Sequence, residues 1–346
     1  MKNSDFVRLL LIGFGHVGQK VVEILTKEKR NYVNLPADHL RIIGIFTKSR
    51  GSLANPDGIN LPTDLRSFRT NNTFSSDDSD YVDYSAADAV KNLDFDILVE
   101  LSTLNISEHA EPAVSFIREA LRRQKDVVTA NKGPLAFFYQ ELRDLARSNH
   151  CQFRFQSTVM DGVPVFSPFM SDTAGCRIVT ISGILNSTTN FILDALDRGQ
   201  SMEQAIETAQ RRGFAEADPA LDIDGWDGAA KICVLVRTLM DGVINPFDVE
   251  RESLSAIDLT DYQKRLSGNQ RLKYICRAAR QGESIRAMVA PELVPAGSVF
   301  AAIRDSGNAL KIETDGMAPI YIVQEAPTLY DTAFGVLNDI TAMIKK

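Results

Sequence analysis

"VRLLLIGFGHVGQKVVEIL", residues 7–25, reads as an apolar strand, a glycine-rich turn and a helix with apolar residues at helical spacing. Gly13, Gly15 and Gly18 form a G-x-G-x-x-G pattern between that strand and that helix. In dinucleotide-binding domains the first glycine permits the turn, the second lets a pyrophosphate approach, and the third lets helix and strand pack closely. The alternative interpretation is a tight turn without a ligand. We predict a dinucleotide site formed by Gly13, Phe14, Gly15, His16, Val17 and Gly18.

Strand-like and helix-like segments go on alternating after this stretch. "LRIIGIFTKS" (40–49), "FDILVELST" (95–103) and "KDVVTANK" (125–132) read as further strands, with a helical segment before the last of them. Repeated strand–helix units predict an α/β fold with a Rossmann-type, doubly wound parallel sheet.

The end of the second predicted strand bears on the choice of cofactor. Sites that prefer NAD place an acidic residue there for the ribose hydroxyls. This chain places Lys48 and Arg50 there instead, and their positive charge would attract a 2′-phosphate. We therefore predict NADP in preference to NAD. The alternative is that both cations are simply solvated.

Polar residues follow the next two predicted strands. Ligands of a doubly wound sheet lie beyond the carboxyl ends of its strands. A lysine at such a position is often only solvated, but here it would lie beside the nicotinamide. We predict cofactor contacts from Ser102, Thr103, Asn131 and Lys132.

Composition restricts the class of protein. The chain has 346 residues, which is enough for two domains, and its apolar and charged contents of 44% and 24% are ordinary for a globular protein. A net charge of −7 gives no sign of a nucleic-acid partner, and no apolar run is long enough to span a membrane. The four cysteines lack metal or redox spacing, so we expect reduced thiols in a cytoplasmic protein.

The pattern of the chain changes after the first strand–helix units. We expect a nucleotide-binding domain at 1–135, an inserted α+β domain at 136–329, and a last helix at about 330–346 that packs back on the first domain. Within the second domain, an acidic run leads directly into an apolar helix. Asp227 and Lys231 lie four residues apart there, so they face each other on one side of that helix.

Four segments resemble the homoserine dehydrogenase family, in the same order. They are "GFGHVG" (13–18), "VVTANKGPLA" (127–136), "GILNSTTNFIL" (183–193) and "AQRRGFAEADPALDIDGWDGAAK" (209–231). The last segment carries the pattern D-x-x-G-x-D-x-x-x-K after a D-P pair, and the resemblance extends over about residues 5 to 240. It implies the reduction of L-aspartate 4-semialdehyde to L-homoserine with NAD(P)H, in threonine and methionine biosynthesis. It also implies a nucleotide domain, a dimerisation region and a substrate domain, assembled as a homodimer.

The resemblance also implies roles for single residues. Lys132 and Lys231 are the acid/base candidates, and which of them gives the proton stays open. Asp227 would orient Lys231. The implied substrate-binding residues are Glu216, Asp222, Thr188 and Asn190. The alternative interpretation of the acidic run is a solvated, capped helix start.

Two segments depart from the family pattern. The family often has a glutamate where this chain has Gln156, in a segment that holds a monovalent cation. A sodium site at Gln156, Val159 and Asp161 is therefore a weakened expectation. The family's glycine-rich loop before the last helix is replaced by a segment with Glu325, Pro327 and Tyr330, which would narrow the site or admit another aldehyde. Since the chain ends at Lys346, we expect no C-terminal regulatory domain.

Three other functions are compatible with parts of the sequence. The first is a homoserine-dehydrogenase-like reductase for a related semialdehyde or hydroxy acid, suggested by the altered loop. The second is an acylating semialdehyde dehydrogenase, which needs a nucleophilic cysteine, and here no histidine is spaced to serve one. The third is a cofactor-binding sensor without catalysis. The joint presence of Lys132, Asp227 and Lys231 argues against a sensor.

Overall fold

The structure is a computed structural model that describes residues 6–28, 35–171, 175–212, 219–257 and 269–344. The chain forms two compact units. The first consists of Met1–Val163 together with Leu329–Lys346, and the second consists of Pro164–Thr328.

The first unit contains a six-stranded sheet with the order β3-β2-β1-β4-β5-β6. Its strands are β1 (Val7–Ile12), β2 (Leu40–Phe46), β3 (Ser52–Ala54), β4 (Ile97–Glu100), β5 (Asp126–Thr129) and β6 (Phe153–Arg154). Five strands run parallel, and β3 pairs antiparallel with β2. The predicted Rossmann-type, doubly wound sheet is confirmed.

Helices cover both faces of this sheet. They are α1 (His16–Glu23), α2 (Leu61–Asn71), α3 (Ala86–Asn92), α4 (Ala113–Arg122), α5 (Lys132–Ser148) and, from the chain end, α12 (Leu329–Ile344). Because side chains alternate along a strand, Leu9 and Leu11 of β1 join the core under α1, α2 and α12. Leu10 and Ile12 join the opposite core under α3, α4 and α5.

The first unit extends past the boundary at residue 135 that we expected from the sequence. The reason is that α5 packs on the sheet and β6 adds a strand to it, so the chain leaves this unit only after Val163. Within residues 151–159 the chain forms a strand only over Phe153–Arg154 and then turns.

The second unit contains a mostly antiparallel sheet with the order β12-β11-β7-β9-β10-β8. Its strands are β7 (Ile178–Ile184), β8 (Glu250–Arg251), β9 (Gln270–Gln281), β10 (Ser284–Pro295), β11 (Asn308–Thr314) and β12 (Ile320–Gln324). Its helices are α6 (Ser167–Ser171), α7 (Ser187–Asp197), α8 (Met202–Arg211), α9 (Ala220–Ile223), α10 (Trp226–Leu239) and α11 (Val299–Ala302). Among the described residues, none of the helices is both long and apolar enough to cross a membrane.

Candidate functional site

The glycine-rich turn has the geometry that the pattern predicts. Gly13 has a φ of +95°, and a Cβ there would lie 2.5 Å from the carbonyl oxygen of Leu101, so a larger residue does not fit. A Cβ on Gly18 would lie 2.9 Å from the carbonyl oxygen of Gly13, so the helix packs closely on the turn. At Gly15, by contrast, no heavy atom of the described chain lies within 4 Å of an added Cβ. The open space at the start of α1 suits a phosphate group.

The neighbours of these glycines divide between surface and core. His16 is exposed and Val17 is half-buried at the start of α1. The ring of Phe14 is buried against Phe68 and Phe74, at centroid distances of 4.9 and 5.4 Å. Only the backbone of Phe14 is therefore placed to contact a cofactor.

The loop after β2 carries Lys48 and Arg50, whose side chains lie in different environments. The hydroxyl of Thr47 accepts the backbone N–H of Arg50 at 2.8 Å and donates to the carbonyl of Gly51 at 2.8 Å. The guanidinium of Arg50 donates to the side-chain oxygen of Asn72 at 3.1 Å, whereas Lys48 is exposed. The loop therefore keeps one fixed cation and one exposed cation at the carboxyl end of β2.

The ends of β4 and β5 lie together, as predicted from the parallel sheet. The side-chain nitrogen of Asn131 donates to the hydroxyl of Ser102 at 3.3 Å, and its side-chain oxygen caps α5 by accepting the Gly133 N–H at 3.0 Å. Lys132 is the first residue of α5, and Thr103 is exposed in the loop after β4. The cap on α5 therefore fixes the backbone from which the Lys132 side chain extends.

Glu100 lies beneath these residues, and sequence reasoning missed it. Its side chain is 0% exposed, and it accepts hydrogen bonds from the Ser102 N–H at 2.8 Å and from the Thr129 hydroxyl at 3.0 Å. Burial raises the pKa of Glu100, while hydrogen bonds from Ser102, Thr129 and Asn131 act in the opposite direction. The only sequence signal was an acid within the apolar run "DILVELS".

Four side chains of the second unit lie together in a group that we call the acid–lysine cluster. It consists of the predicted residues Asp222, Asp227 and Lys231 and of Asn186, which was not predicted. The ammonium of Lys231 lies 2.9 Å from the Asp227 carboxylate, so the i,i+4 pair forms, and it donates to the carbonyl of Leu185 at 2.6 Å. The side-chain nitrogen of Asn186 donates to Asp222 at 2.6 Å and to Asp227 at 2.8 Å. One amide group thus bridges the two carboxylates.

Burial raises the pKa of Asp222, and the neighbouring Asp227 carboxylate raises it further. Hydrogen bonds from Asn186 and Thr188 act in the opposite direction and lower this pKa, as does the positive charge of Lys231. The cluster therefore holds two carboxylates close together only because an amide, a hydroxyl and an ammonium face them.

Asn186 was not among the residues we predicted, although it lies in "GILNSTTNFIL". Its side-chain oxygen also caps α7 by accepting the Thr189 N–H at 2.8 Å. An asparagine before a predicted helix indicates a cap, but its contacts with Asp222 and Asp227, 36 and 41 residues away, needed the fold.

Two of the predicted substrate-binding residues, Asn190 and Glu216, are not part of the acid–lysine cluster described above. The prediction that Asn190 contacts substrate is not supported, because the residue is 0% exposed and its amide donates to the Asp305 carbonyl at 2.9 Å. Its side-chain oxygen accepts from the buried ammonium of Lys273 at 3.0 Å. Asn190 therefore fixes α7 inside the unit. Glu216 lies outside the described residues.

Two sequence profiles of one family match the chain. The profile described as homoserine dehydrogenase matches residues 164–341. The profile described as the NAD binding domain of homoserine dehydrogenase matches residues 13–156. This chain belongs to the homoserine dehydrogenase family. The resemblance seen in the sequence is thereby confirmed, and the glycine turn belongs to a domain that binds a nicotinamide cofactor.

Two relatives of this homoserine dehydrogenase family member match over almost their whole length. An NAD(+)-dependent homoserine dehydrogenase of Pseudomonas canavaninivorans is 33% identical over 334 residues, which are 96% of this chain and 95% of the relative. The homoserine dehydrogenase of Methanocaldococcus jannaschii is 30% identical, covering 96% of this chain and 97% of the relative. The structure of a hyperthermophilic archaeal homoserine dehydrogenase in complex with NADPH superimposes with a TM-score of 0.80 at 25% identity, covering 98% of both chains.

Three of the four cysteines of this homoserine dehydrogenase family member do not suit nucleophilic catalysis. All four thiols are free. Burial raises the pKa of Cys151 to about 11 and that of Cys276 to about 12, and it raises the pKa of Cys233 as well. Because the thiolate is the nucleophile, these three cysteines are held in the inert form, which opposes the acylating dehydrogenase alternative.

The segment in which the family holds a cation is tied to α12 in this chain. The side-chain nitrogen of Gln156 donates to the Val163 carbonyl, and the Gln156 N–H donates to the buried Asp339 carboxylate at 2.7 Å. The carboxylate of Asp161 accepts from the Thr332 hydroxyl at 2.7 Å, and Val159 is 0% exposed. Within the described part of the chain, no group of three or more His, Cys, Asp or Glu side chains could hold a metal ion. The side-chain amide of Gln156 and one carboxylate oxygen of Asp161 thus bond to protein groups.

Proposed function

We propose that the protein interconverts L-aspartate 4-semialdehyde and L-homoserine with a nicotinamide cofactor, in threonine and methionine biosynthesis. The observation that carries this proposal is the acid–lysine cluster, because it presents carboxylates and a fixed ammonium on one unit. A small amino acid with an aldehyde group needs a carboxylate for its ammonium and a proton donor for its oxygen. In this proposal Asp222 and Glu216 supply the carboxylates for the substrate ammonium, and Lys231 is a candidate proton donor for the substrate oxygen.

In this proposal the first unit binds the cofactor. The open space at Gly15 takes the pyrophosphate, and the strand ends with Ser102, Thr103 and Asn131 take the nicotinamide side. Bound NAD(P)H supplies the hydride that adds to the aldehyde carbon.

Lys132 and Lys231 are placed in this proposal to stabilise the negative charge that hydride addition leaves on the substrate oxygen. An ammonium near this oxygen stabilises the negative charge and transfers the proton that completes the alcohol. Asp227, at 2.9 Å from the Lys231 ammonium, pairs with this ammonium and orients it. Lys132 and Lys231 are both candidates for the donor.

The cofactor choice in this proposal is NADP. Its support is the loop after β2, which carries Lys48 and Arg50 and no carboxylate for the ribose hydroxyls. The relatives differ in this respect, since one is named NAD(+)-dependent and another was solved with NADPH. The preference is therefore a property to measure on this chain itself.

A homodimer is part of the proposal, and one face of the second sheet supports it. Strand register places Tyr321, Lys311, Ser182, Arg277 and Met288 in one row across five strands. Tyr321 is 42% exposed, and the buried hydroxyl of Ser182 meets no partner among the described residues. A second copy laid on this face would cover the tyrosine. Replacing Tyr321 with Arg should then shift the protein to monomer in analytical ultracentrifugation.

A sodium ion at Gln156, Val159 and Asp161 stays a prediction, and no step of the proposed reaction passes through it. We place the enzyme in the cytoplasm, because its four thiols are unpaired and a reducing compartment keeps them so.

The test is steady-state oxidation of L-homoserine, with NADP and NAD compared in one buffer. Turnover with NADP supports the reaction and the role of the two cations, whereas turnover with NAD alone keeps the reaction and refutes that role. Tight cofactor binding without turnover would point to a related semialdehyde or hydroxy acid as substrate. Lys231→Met should lose at least about 100-fold in kcat with cofactor affinity unchanged, as expected of an enzyme rather than a sensor.

A further inference from the structure

Glu100 connects the carboxyl ends of two neighbouring strands. It is the last residue of β4, and its side chain is 0% exposed. One carboxylate oxygen accepts the N–H of Ser102 at 2.8 Å, in the loop that follows β4. The other accepts the hydroxyl of Thr129 at 3.0 Å, at the end of β5. One side chain therefore ties together the two segments that carry the predicted nicotinamide-side residues.

The hydrogen bonds continue from Thr129 back to Glu100 in a closed ring. The Thr129 hydroxyl accepts the N–H of Asn131 at 3.0 Å, and the side-chain nitrogen of Asn131 donates to the Ser102 hydroxyl at 3.3 Å. Asn131 also caps α5, whose first residue is Lys132. A displacement of Glu100 would therefore move the start of α5 and with it the backbone of Lys132.

Packing does not explain an acid at this position. Its neighbours Val99 and Leu98 are fully buried, and an apolar side chain would fill the same space without the cost of burying a carboxyl group. What an apolar side chain lacks is the ability to accept the Ser102 N–H and the Thr129 hydroxyl at once. The acid is thus suited to hold a particular arrangement of the two loops.

We propose that Glu100 is a positioning residue that joins the loop after β4 to the start of α5 and thereby places Lys132 for the reaction. This inference rests on the proposed function. Glu100 itself touches neither substrate nor cofactor in this proposal, since it is fully buried. Its effect passes through Ser102, Thr129 and Asn131.

The test compares Glu100→Leu, Glu100→Gln and a matched control, Asp126→Leu. Asp126 is a partly buried acid at the opposite end of β5 that also accepts a backbone N–H, from Gln152 at 2.7 Å. For each variant we would measure melting temperature, NADPH affinity by fluorescence, and the single-turnover rate of hydride transfer with L-homoserine and its solvent isotope effect.

Glu100→Leu should lower the single-turnover rate by about 10- to 100-fold, as expected when a catalytic group is misplaced by a fraction of an ångström to an ångström. It should also raise the solvent isotope effect, while NADPH affinity changes less than about 3-fold. Glu100→Gln should keep most of the rate. The side-chain oxygen of the glutamine still accepts the Ser102 N–H. The Thr129 hydroxyl can donate to the Asn131 carbonyl, 3.5 Å away, and its oxygen can then accept a hydrogen bond from the side-chain amide of the glutamine. Asp126→Leu should lower the melting temperature without a change in rate.

Thr129→Val provides a second test that keeps the shape of the strand. It removes only the hydroxyl between Glu100 and Asn131, and the rate should fall about 3- to 10-fold. Equal rates for Glu100→Leu and Asp126→Leu would overturn the positioning role, and so would an unchanged rate in Thr129→Val. A loss in Glu100→Gln as large as in Glu100→Leu would also overturn it, in favour of a role for the charge. An inactive wild-type protein would overturn the proposed function and this inference together, whereas an active wild type with an unaffected Glu100→Leu overturns this inference alone.

Discussion

Replacement of Asn186 by Ala tests whether the acid–lysine cluster depends on a single amide group. The side-chain nitrogen bridges Asp222 and Asp227 at 2.6 and 2.8 Å, and the side-chain oxygen caps α7. A hydrogen bond to a charged group contributes about 1.5–3 kcal/mol, and an N-cap about 1 kcal/mol. Because Asp222 is half-buried, water replaces part of what is lost, so we expect a destabilisation of about 3 kcal/mol.

The same substitution should change the pH dependence of the reaction. The pKa of Asp222 is already raised by burial and by Asp227, and the bond from Asn186 lowers it. Without that bond the ionised form loses about 1.5 kcal/mol of stabilisation, so the pKa of Asp222 should rise further. Since the ionised carboxylate would bind the substrate ammonium, the acid limb of kcat/KM for L-homoserine should move to higher pH.

Asn190→Ala is the matched control, because Asn190 is another buried asparagine of α7 with several hydrogen bonds, none of them to this cluster. It should be destabilised by a similar amount in urea unfolding. Its kcat/KM profile should keep the acid limb of the wild type. An unshifted acid limb in Asn186→Ala, or an equal shift in both variants, would refute the reasoning about the cluster.

Three further predictions concern other parts of the chain. Gly15→Ala should retain the wild-type melting temperature but weaken cofactor binding at least about 10-fold in a fluorescence titration, because its Cβ enters the open space at the start of α1, whereas Gly13→Ala should lower the melting temperature. The double variant of Lys48 and Arg50 to Ala should lose affinity for NADP but not for NAD, and equal losses would show that the two cations do not recognise the 2′-phosphate. Burial raises the pKa of Asp339 to about 6 in the folded state, so its contribution to the free energy of unfolding is greatest below pH 4 and falls as the pH rises through 6. The free energy of unfolding would be measured with urea at pH 4.5 and at pH 8. Its decrease between these two pH values should be about 2–3 kcal/mol smaller in Asp339→Asn than in the wild type, and a decrease of unchanged size would contradict the prediction.

Short-range patterns in the sequence were sufficient to predict much of this protein. The glycine turn was predictable because its three glycines act within six positions, and Gly13 and Gly18 each have a distinct steric reason. The Asp227–Lys231 pair was predictable because helical periodicity places residues four apart on one face. The doubly wound sheet followed from the alternation of strands and helices, which is also a local pattern.

The tertiary structure decided which distant groups those patterns meet. Glu100 finds Thr129 across 29 residues, and Asn186 finds Asp227 across 41, and no periodicity in the sequence relates them. Asn190 resembled a substrate residue in the sequence, yet burial and the ammonium of Lys273, 83 residues away, occupy its amide. Local geometry constrains the neighbours of a residue along the chain. Whether a polar side chain faces a ligand, another side chain or the core is decided only when strands and helices from distant segments pack together, because each buried polar group must then find its partner there.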